Sequence, residues 1–297
     1  MAAILGANAL VAALVVVVVV AASSDGGGAE GVAPFRAARL TTDRFDERRA
    51  FAELTRQVRS GPRPAGSPTS RRLGQRLRRA LPRGRFEPVP GNLRNVVGTL
   101  PGRRPAIVLA AHYDTKDLPG FVGANDGASG TAAVLELARA LARVRRPDGA
   151  PEVRFLLFDG EESPDDERDL YSTGLRGSRA YAARHFREVG KLILLDFVGD
   201  ERLRIRRERG SDPELWFQLR RAARRVGAEG TFPAGRAGLV TDDHTPFTRR
   251  GVAAIDLIDF DFPCFHKPCD DLSAVSADSL DQVGETVFEL LRELTTG

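Results

Sequence analysis

Lysine is almost absent from this sequence: only Lys116, Lys191 and Lys267 occur, although arginine and lysine together number 44. The formal net charge of +4 is therefore carried by arginines, which are spread along the chain among 40 acidic residues. A nucleic-acid surface needs basic residues clustered on one face, so we expect no nucleic-acid partner. The hydrophobic share of 42% and charged share of 28% predict a globular protein with a buried core.

Basic residues are also missing at the N-terminus, where MAAILGANALVAALVVVVVVAASS is almost entirely apolar. The apolar core of this segment has the length of a signal peptide, and the whole run approaches the ~20 residues that span a bilayer. We predict a signal peptide or membrane anchor over residues 1–22 and a flexible linker over 23–34. Arginines follow the run, and by the positive-inside tendency they would keep the C-terminal part of the chain in the cytoplasm. We nevertheless favour an extracytoplasmic protein, either secreted or membrane-anchored.

No repeat and no second linker interrupts residues 35–297, which we interpret as one catalytic domain. Apolar runs of strand length alternate with amphipathic stretches of helix length, a pattern typical of α/β proteins with a largely parallel sheet covered by helices. The predicted strands are 95–100, 106–111, 153–158, 192–197 and 252–258. The predicted helices are 43–59, 71–81, 130–144, 177–187, 213–226 and 278–294.

Several predicted strands end in histidine or acidic side chains. AIVLAAHYDTK ends in His112, and Asp114 two residues later faces the same side of an extended chain, where a carboxylate can orient the imidazole. VRFLLFDGEES runs directly into Glu161 and Glu162. Adjacent carboxylates repel, so this pair is unfavourable unless a cation is present or one acid is protonated.

Three more segments bring similar side chains. Asp126 lies in the glycine-rich stretch GANDGASG, which lacks the lysine of a phosphate-binding loop and could otherwise be a plain helix entry. Asp196 follows the apolar run KLILL, and His266 follows the last strand. His244, in TDDHTPFTRRG, is interpreted as a structural histidine at the start of a short helix.

The candidate ligands are thus imidazole nitrogens and carboxylate oxygens: His112, Asp126, Glu162, Asp196 and His266. This donor set suits zinc better than manganese or cobalt. Five ligands exceed the need of one tetrahedral zinc and suit two metals that share a carboxylate.

Seven motifs resemble the zinc-dependent aminopeptidase family of the bacterial leucine aminopeptidase type, which is related to animal-type glutaminyl cyclases. The motifs are AHYDTK, GANDGASGTAAVLELARAL, FLLFDGEES, GLRGSRAYA, LILLDFVGD, DDHTPFTRRGV and FHKPCDDL. The resemblance implies a three-layer sandwich with a mixed, mostly parallel sheet between helices. It implies that His112 and Asp196 bind one metal, that Glu162 and His266 bind the other, and that Asp126 bridges them. It also makes Glu161 the general base, with Asp114 supporting His112 and Asp243 lying near Asp196.

Two activities on peptide or protein N-termini follow from the resemblance. We expect an aminopeptidase that uses one or two zinc ions, a metal-activated water and Glu161 as the base. The alternative is a glutaminyl-peptide cyclotransferase with a single zinc on Asp126, Glu162 and His266. GANDGASG is similar to the aminopeptidases, whereas the insert 163–176 and DDHTPFTRRGV are more similar to the cyclases, although Phe265 stands where cyclases usually carry tryptophan. A non-catalytic relative is disfavoured because no ligand is missing.

Both cysteines of the chain, Cys264 and Cys269, flank His266. In an oxidising compartment they could form a disulfide that holds the loop of this histidine. A thiolate zinc site would leave the carboxylates without a metal, and in the cytoplasm both thiols would be reduced. A disulfide between Cys264 and Cys269 is therefore possible, and its presence depends on the compartment.

Overall fold

A mixed six-stranded sheet organises residues 40–296, the part of the chain that this computed structural model describes. Its strands are β1 (Arg85–Val89), β2 (Leu93–Leu100), β3 (Arg103–His112), β4 (Pro151–Phe158), β5 (Val189–Leu195) and β6 (Ala253–Leu257). They lie in the order β1-β2-β4-β3-β5-β6. Strands β4, β3, β5 and β6 run parallel to one another, whereas β2 pairs antiparallel with both of its neighbours, β1 and β4. The predicted α/β fold with a mixed, mostly parallel sheet is confirmed.

The predicted signal peptide or anchor (1–22) and most of the rest of the N-terminal segment, including the linker 23–34, lie outside the described residues. Within residues 40–296, none of the helices has both the length and the apolar character needed to cross a membrane.

Helices cover both faces of the sheet. They are α1 (Glu47–Arg59), α2 (Pro68–Ala80), α3 (Gly130–Leu141), α4 (Leu170–Thr173), α5 (Arg176–His185), α6 (Pro213–Val226), α7 (Thr245–Thr248) and α8 (Ala277–Thr296). Successive side chains of a strand point to opposite faces, so each central strand contributes to two cores. Leu109 and Ile193 pack with α1, α3, α6 and α8, whereas Val108 and Leu194 pack with Tyr181 of α5 and Phe247 of α7.

Predicted and observed elements agree best where the chain itself marks both ends. Helix α6 matches the prediction residue for residue, because Asp212 accepts a hydrogen bond from Leu215 N at 2.8 Å, Pro213 opens the first turn and Gly227 ends the helix at φ +83°. Strand β1 was not predicted: it is five residues long, lies at the edge of the sheet and includes Pro88, which suits only such an edge.

The topology determines where a site can form. Parallel strands end at a common edge of the sheet, and open α/β sheets bind ligands at that edge. Strand β3 ends with His112, Glu161 follows β4 and Asp196 follows β5, so three sequence-distant motifs meet at one edge.

Candidate metal centre

Two groups of side chains share one carboxylate at the edge of the sheet where β3, β4 and β5 end. His112 Nε2 lies 3.2 Å from Asp126 Oδ1 and 3.3 Å from Asp196 Oδ1. His266 Nε2 lies 3.5 Å from Asp126 Oδ2 and 3.4 Å from Glu162 Oε1. The structure therefore brings together the five predicted ligands as two triads, with one oxygen of Asp126 facing each histidine.

The spacing of these atoms suits metal ligation. A typical N–H···O bond is about 2.9 Å long, whereas two ligand atoms of a tetrahedral zinc, each about 2.0–2.2 Å from the metal, lie about 3.4 Å apart. Three buried atoms of the set have no hydrogen-bond partner: His112 Nδ1, Asp126 Oδ2 and Glu162 Oε1. Unpaired buried polar atoms are unfavourable, so the residues present fit a divalent cation in each triad.

Asp114 connects the first histidine to the acidic strand end. Its Oδ1 lies 3.8 Å from His112 Nδ1 and accepts hydrogen bonds from Gly160 N at 2.9 Å and Glu161 N at 3.1 Å. Its Oδ2 accepts one from Glu162 N at 3.3 Å. A single buried carboxylate thus fixes the backbone of β4's acidic end beside the imidazole.

The loop of Asp126 is held by two buried charged side chains, Arg63 and Asp270, which bond its backbone. Asp270 accepts hydrogen bonds from Asn125 N at 2.7 Å and Asp126 N at 3.1 Å. The fully buried guanidinium of Arg63 donates to Gly123 O at 2.8 Å and to the carbonyl of Val122. Neither Arg63 nor Asp270 was assigned a role from the sequence: Arg63 lies in a proline-rich loop, and Asp270, although part of FHKPCDDL, has no pattern that indicates its contact with the loop of Asp126.

Gly127, next to Asp126, could not be another residue without movement of the site. It adopts φ +81°, and a Cβ there would lie 2.9 Å from Asp114 O and 3.0 Å from His112 Cε1. The glycine-rich motif therefore serves close packing of the loop on His112.

The loop of His266 is closed by a disulfide between Cys264 and Cys269. His266 itself has φ +51°, a conformation that non-glycine residues seldom adopt and that surrounding structure must maintain. The ring of Phe265 stacks on its imidazole with centroids 3.9 Å apart, and Phe121 contacts it edge-on at 5.8 Å.

Glu161 lies beside both triads without belonging to either. Burial, then the neighbouring Glu162 carboxylate, raises the pKa of Glu161 well above its usual value. Burial likewise raises the pKa of Asp196 to about 7, against the opposing charge of His112. A raised pKa favours proton uptake by the Glu161 carboxylate, as an acid–base residue needs.

A cavity of about 700 Å³ opens over the centre. Glu161, Glu162 and His266 line its floor, while Phe197, Phe260, Phe265 and Leu239 give it an apolar wall. Phe260 and Leu239 are more than half exposed, at 51% and 63%. The cavity therefore offers a small ligand an apolar wall on one side and the polar atoms of the centre on the other.

Two adjacent acids near this centre differ in their access to the cavity. Asp243, which was expected near Asp196, is fully buried and does not line the cavity, whereas Asp242 does and is itself buried. Asp242 is also the nearer influence on Asp196, whose pKa it raises after the effects of burial and His112. The sequence alone does not tell which of the two adjacent aspartates faces the cavity, because that depends on the local backbone conformation.

Residues 95–291 match the family model described as peptidase family M28, which covers about two thirds of the chain. The chain belongs to this family, as the sequence resemblance predicted.

Among curated relatives, a glutaminyl-peptide cyclotransferase-like protein of Mus musculus is 32% identical over 61% of this chain and 55% of its own length. The chain spans between 55% and 64% of the length of the first three such relatives.

Two solved structures show the same fold over nearly their whole length. A glutaminyl cyclase of an Acidobacteriales bacterium has a TM-score of 0.73 and 28% identity, and the match covers 90% of this chain and 99% of that one. A leucine aminopeptidase precursor of Bacteroides thetaiotaomicron has a TM-score of 0.76 and 25% identity, over 85% and 98%. The family thus joins the two activities that the sequence left as alternatives.

Proposed function

We propose that this protein is a metal-dependent enzyme acting on peptide N-termini, and that its reaction is the cyclisation of an N-terminal glutamine to pyroglutamate. The observation that carries this proposal is the likeness to a bacterial glutaminyl cyclase over 99% of that chain, a match long enough to include every strand end of the centre. The curated relatives support it as well, since several of them bear the same name.

In this reaction the α-amine nitrogen attacks the side-chain amide carbon, a C–N bond forms, and ammonia leaves. Asp126, Glu162 and His266 would hold a zinc ion, which when bound supplies an electrophile that polarises the amide. Glu161 takes a proton from the attacking amine and returns one to the leaving nitrogen, which suits its raised pKa and its position beside the triad. The apolar wall that includes Phe265 offers contact for the methylene groups of the glutamine side chain.

Aminopeptidase activity, which the sequence favoured, is the second candidate. The specific observation for it is that Asp126 faces both histidines, so the centre has ligands for two cations, as in co-catalytic hydrolases. The likeness to a leucine aminopeptidase precursor supports it too. Here Glu161 would activate water by accepting its proton and would then protonate the leaving amine.

The location of the protein belongs to the same proposal. Disulfides persist in oxidising compartments, so the Cys264–Cys269 bond supports an extracytoplasmic protein, secreted or membrane-anchored.

A peptide that begins with glutamine separates the two candidates. Zinc-loaded protein is incubated with Gln-initiated peptide, and the products are analysed for ammonia and for free amino acids. We expect ammonia and a product with a blocked N-terminus; release of free glutamine would instead support the aminopeptidase. The same peptide with an acetylated N-terminus is the control, since neither reaction accepts it. Absence of both products from protein with a filled centre would overturn the proposal.

A further inference from the structure

A second group of ligand-type side chains is buried behind the cavity. Asp242 and His244 precede α7, and Asp256 lies within β6. Asp242 is 3% exposed, His244 1% and Asp256 0%. One ligand atom of each lies within 4.8 Å of the others. None of the three is among the five predicted ligands.

The polar atoms that face each other here have no hydrogen-bond partners. His244 Nδ1 lies 3.4 Å from Asp256 Oδ2, the same spacing as in the two triads of the catalytic centre, and neither atom is hydrogen-bonded. Both carboxylate oxygens of Asp256 and Oδ2 of Asp242 are also unpartnered. Among residues 40–296, no arginine or lysine forms an ion pair with Asp242 or Asp256.

The far side of the histidine ring is arranged as in a metal site. His244 Nε2 lies 3.5 Å from Glu208 Oε2. The other oxygen of Glu208 is held by Gly210 N at 2.6 Å and Val240 N at 3.1 Å. A metal-ligating histidine regularly presents its second nitrogen to a fixed carboxylate, which leaves the first nitrogen unprotonated. Asp114 has this relation to His112, and Glu208 has it to His244.

We propose that Asp242, His244 and Asp256 form a further site for a divalent cation of the zinc class, separate from the catalytic centre. One imidazole nitrogen and two carboxylates are a donor set that zinc accepts. The ion would reach the site past Asp242, which lines the cavity. Bound there, it would join β6 to the segment before α7 and fix the Asp242 carboxylate beside Asp196 and Glu161.

The rival explanation is a proton. Burial, then Asp242, raises the pKa of Asp256 well above its usual value, so the two carboxyl groups could share a proton in place of a cation. Asparagine imitates a protonated aspartate in shape and charge but is a far poorer zinc ligand. Asp256→Asn therefore distinguishes the two explanations.

The experiment counts zinc per chain by elemental analysis after loading and desalting, in the wild type, Asp256→Asn and the control Asp259→Asn. Asp259 is a buried acid of the same segment, 5% exposed, that bonds only backbone N–H groups of Arg204 and Asp261. We expect Asp256→Asn to lose about one zinc per chain and its zinc-dependent rise in Tm, while the control loses none. Equal zinc in all three proteins, with a Tm of Asp256→Asn at or above the wild type, would establish the shared proton and overturn the site.

A measurement on the unmodified protein keeps the test decisive if Asp256→Asn does not fold. Crystals of the zinc-loaded wild type are examined for anomalous scattering at the zinc edge. A peak within bonding distance of His244 Nδ1, Asp242 and Asp256 is the expected result. Peaks at the catalytic centre with none at His244 would overturn the proposal.

Discussion

Buried acids are stabilised in two different ways in this molecule. Where the segment before α1 meets α8, fully buried Glu285 accepts hydrogen bonds from the backbone N–H groups of Arg44 and Phe45, and the Arg44 guanidinium lies 3.4 Å from Glu285 and 2.9 Å from Glu289. At the sheet edge, among the described residues, neither Glu161 nor Asp196 forms an ion pair with arginine or lysine. Besides the histidines, the one basic side chain paired with a candidate ligand among the described residues is Lys116, 4.0 Å from Glu162 Oε2. The acids here outnumber these partners, which fits a bound cation.

The largest effect, on turnover, is expected at Glu161, the acid of this centre that belongs to neither triad. Glu161→Gln should lower turnover by about 10²- to 10⁴-fold, because amide cannot carry the proton, while zinc content stays at the wild-type value. The measurement is kcat together with zinc per chain, and exposed Glu167→Gln is the matched control. Near-normal turnover, or loss of zinc, would contradict the separation of base from ligands.

A change at the contact between Arg44 and α8 should lower the stability of the protein and leave its metal content unchanged. Arg44→Ala leaves buried Glu285 without its cation, whereas Glu289 keeps Arg292 at 2.7 Å. Because Arg44 is itself partly exposed, the free energy of unfolding should fall by about 1–2 kcal/mol. Urea denaturation measures the loss, with Arg48→Ala as the control because the Arg48 side chain is 92% exposed. If Arg44→Ala lost zinc to the same degree as a ligand variant, the two regions would not be distinct.

An intermediate effect is expected at the loop of His266. Replacing Cys264 and Cys269 by serine removes the covalent closure that helps maintain the left-handed conformation of His266, and zinc affinity should fall about tenfold. Competition with a chelator of known affinity measures it, and wild-type protein treated with reductant should follow the double variant. An unchanged affinity would show that Phe265 and Phe121 hold the histidine without the disulfide.

The smallest effect is expected at Asp281, an acid whose burial is fully compensated neither by arginine nor by a metal site. Burial, then Glu47 and Glu285, raises the pKa of Asp281 to about 7. A raised carboxyl pKa means that the folded state binds the proton more tightly, so stability decreases as pH rises from about 4 to 7 and stays lower above it.

Asp281→Asn should therefore stabilise the protein by about 1 kcal/mol at pH 8, a value reduced for its partial exposure, and leave it unchanged at pH 4. Unfolding curves at both pH values test this, and equal gains at both would exclude charge as the cause. Zinc content should not change, since the charged groups that shift the pKa of Asp281 include none of the candidate metal ligands.

The candidate ligands and the positions of the central strands could be predicted from the sequence, because a carboxylate or histidine directly after an apolar strand is a local signal whose position the parallel sheet then determines. His112, Glu161 and Asp196 are such cases. Arg63 and Asp270 carry no local signal: one lies in a proline-rich loop and the other follows a cysteine, and their roles arise only from long-range packing beneath Asp126. Adjacent Asp242 and Asp243 could not be separated, because which one faces the cavity depends on a backbone turn.

Asp114 has a consequence for how such an enzyme could be altered. It bonds the backbone of Gly160, Glu161 and Glu162 while facing His112. One side chain thus positions Glu161, the proposed proton carrier, and two candidate metal ligands, His112 and Glu162. Directed evolution toward a new substrate would therefore have to conserve this inner frame as a unit. Room for change lies in the exposed rim of Phe260 and Leu239, where substitutions can reshape selectivity without displacing the chemistry.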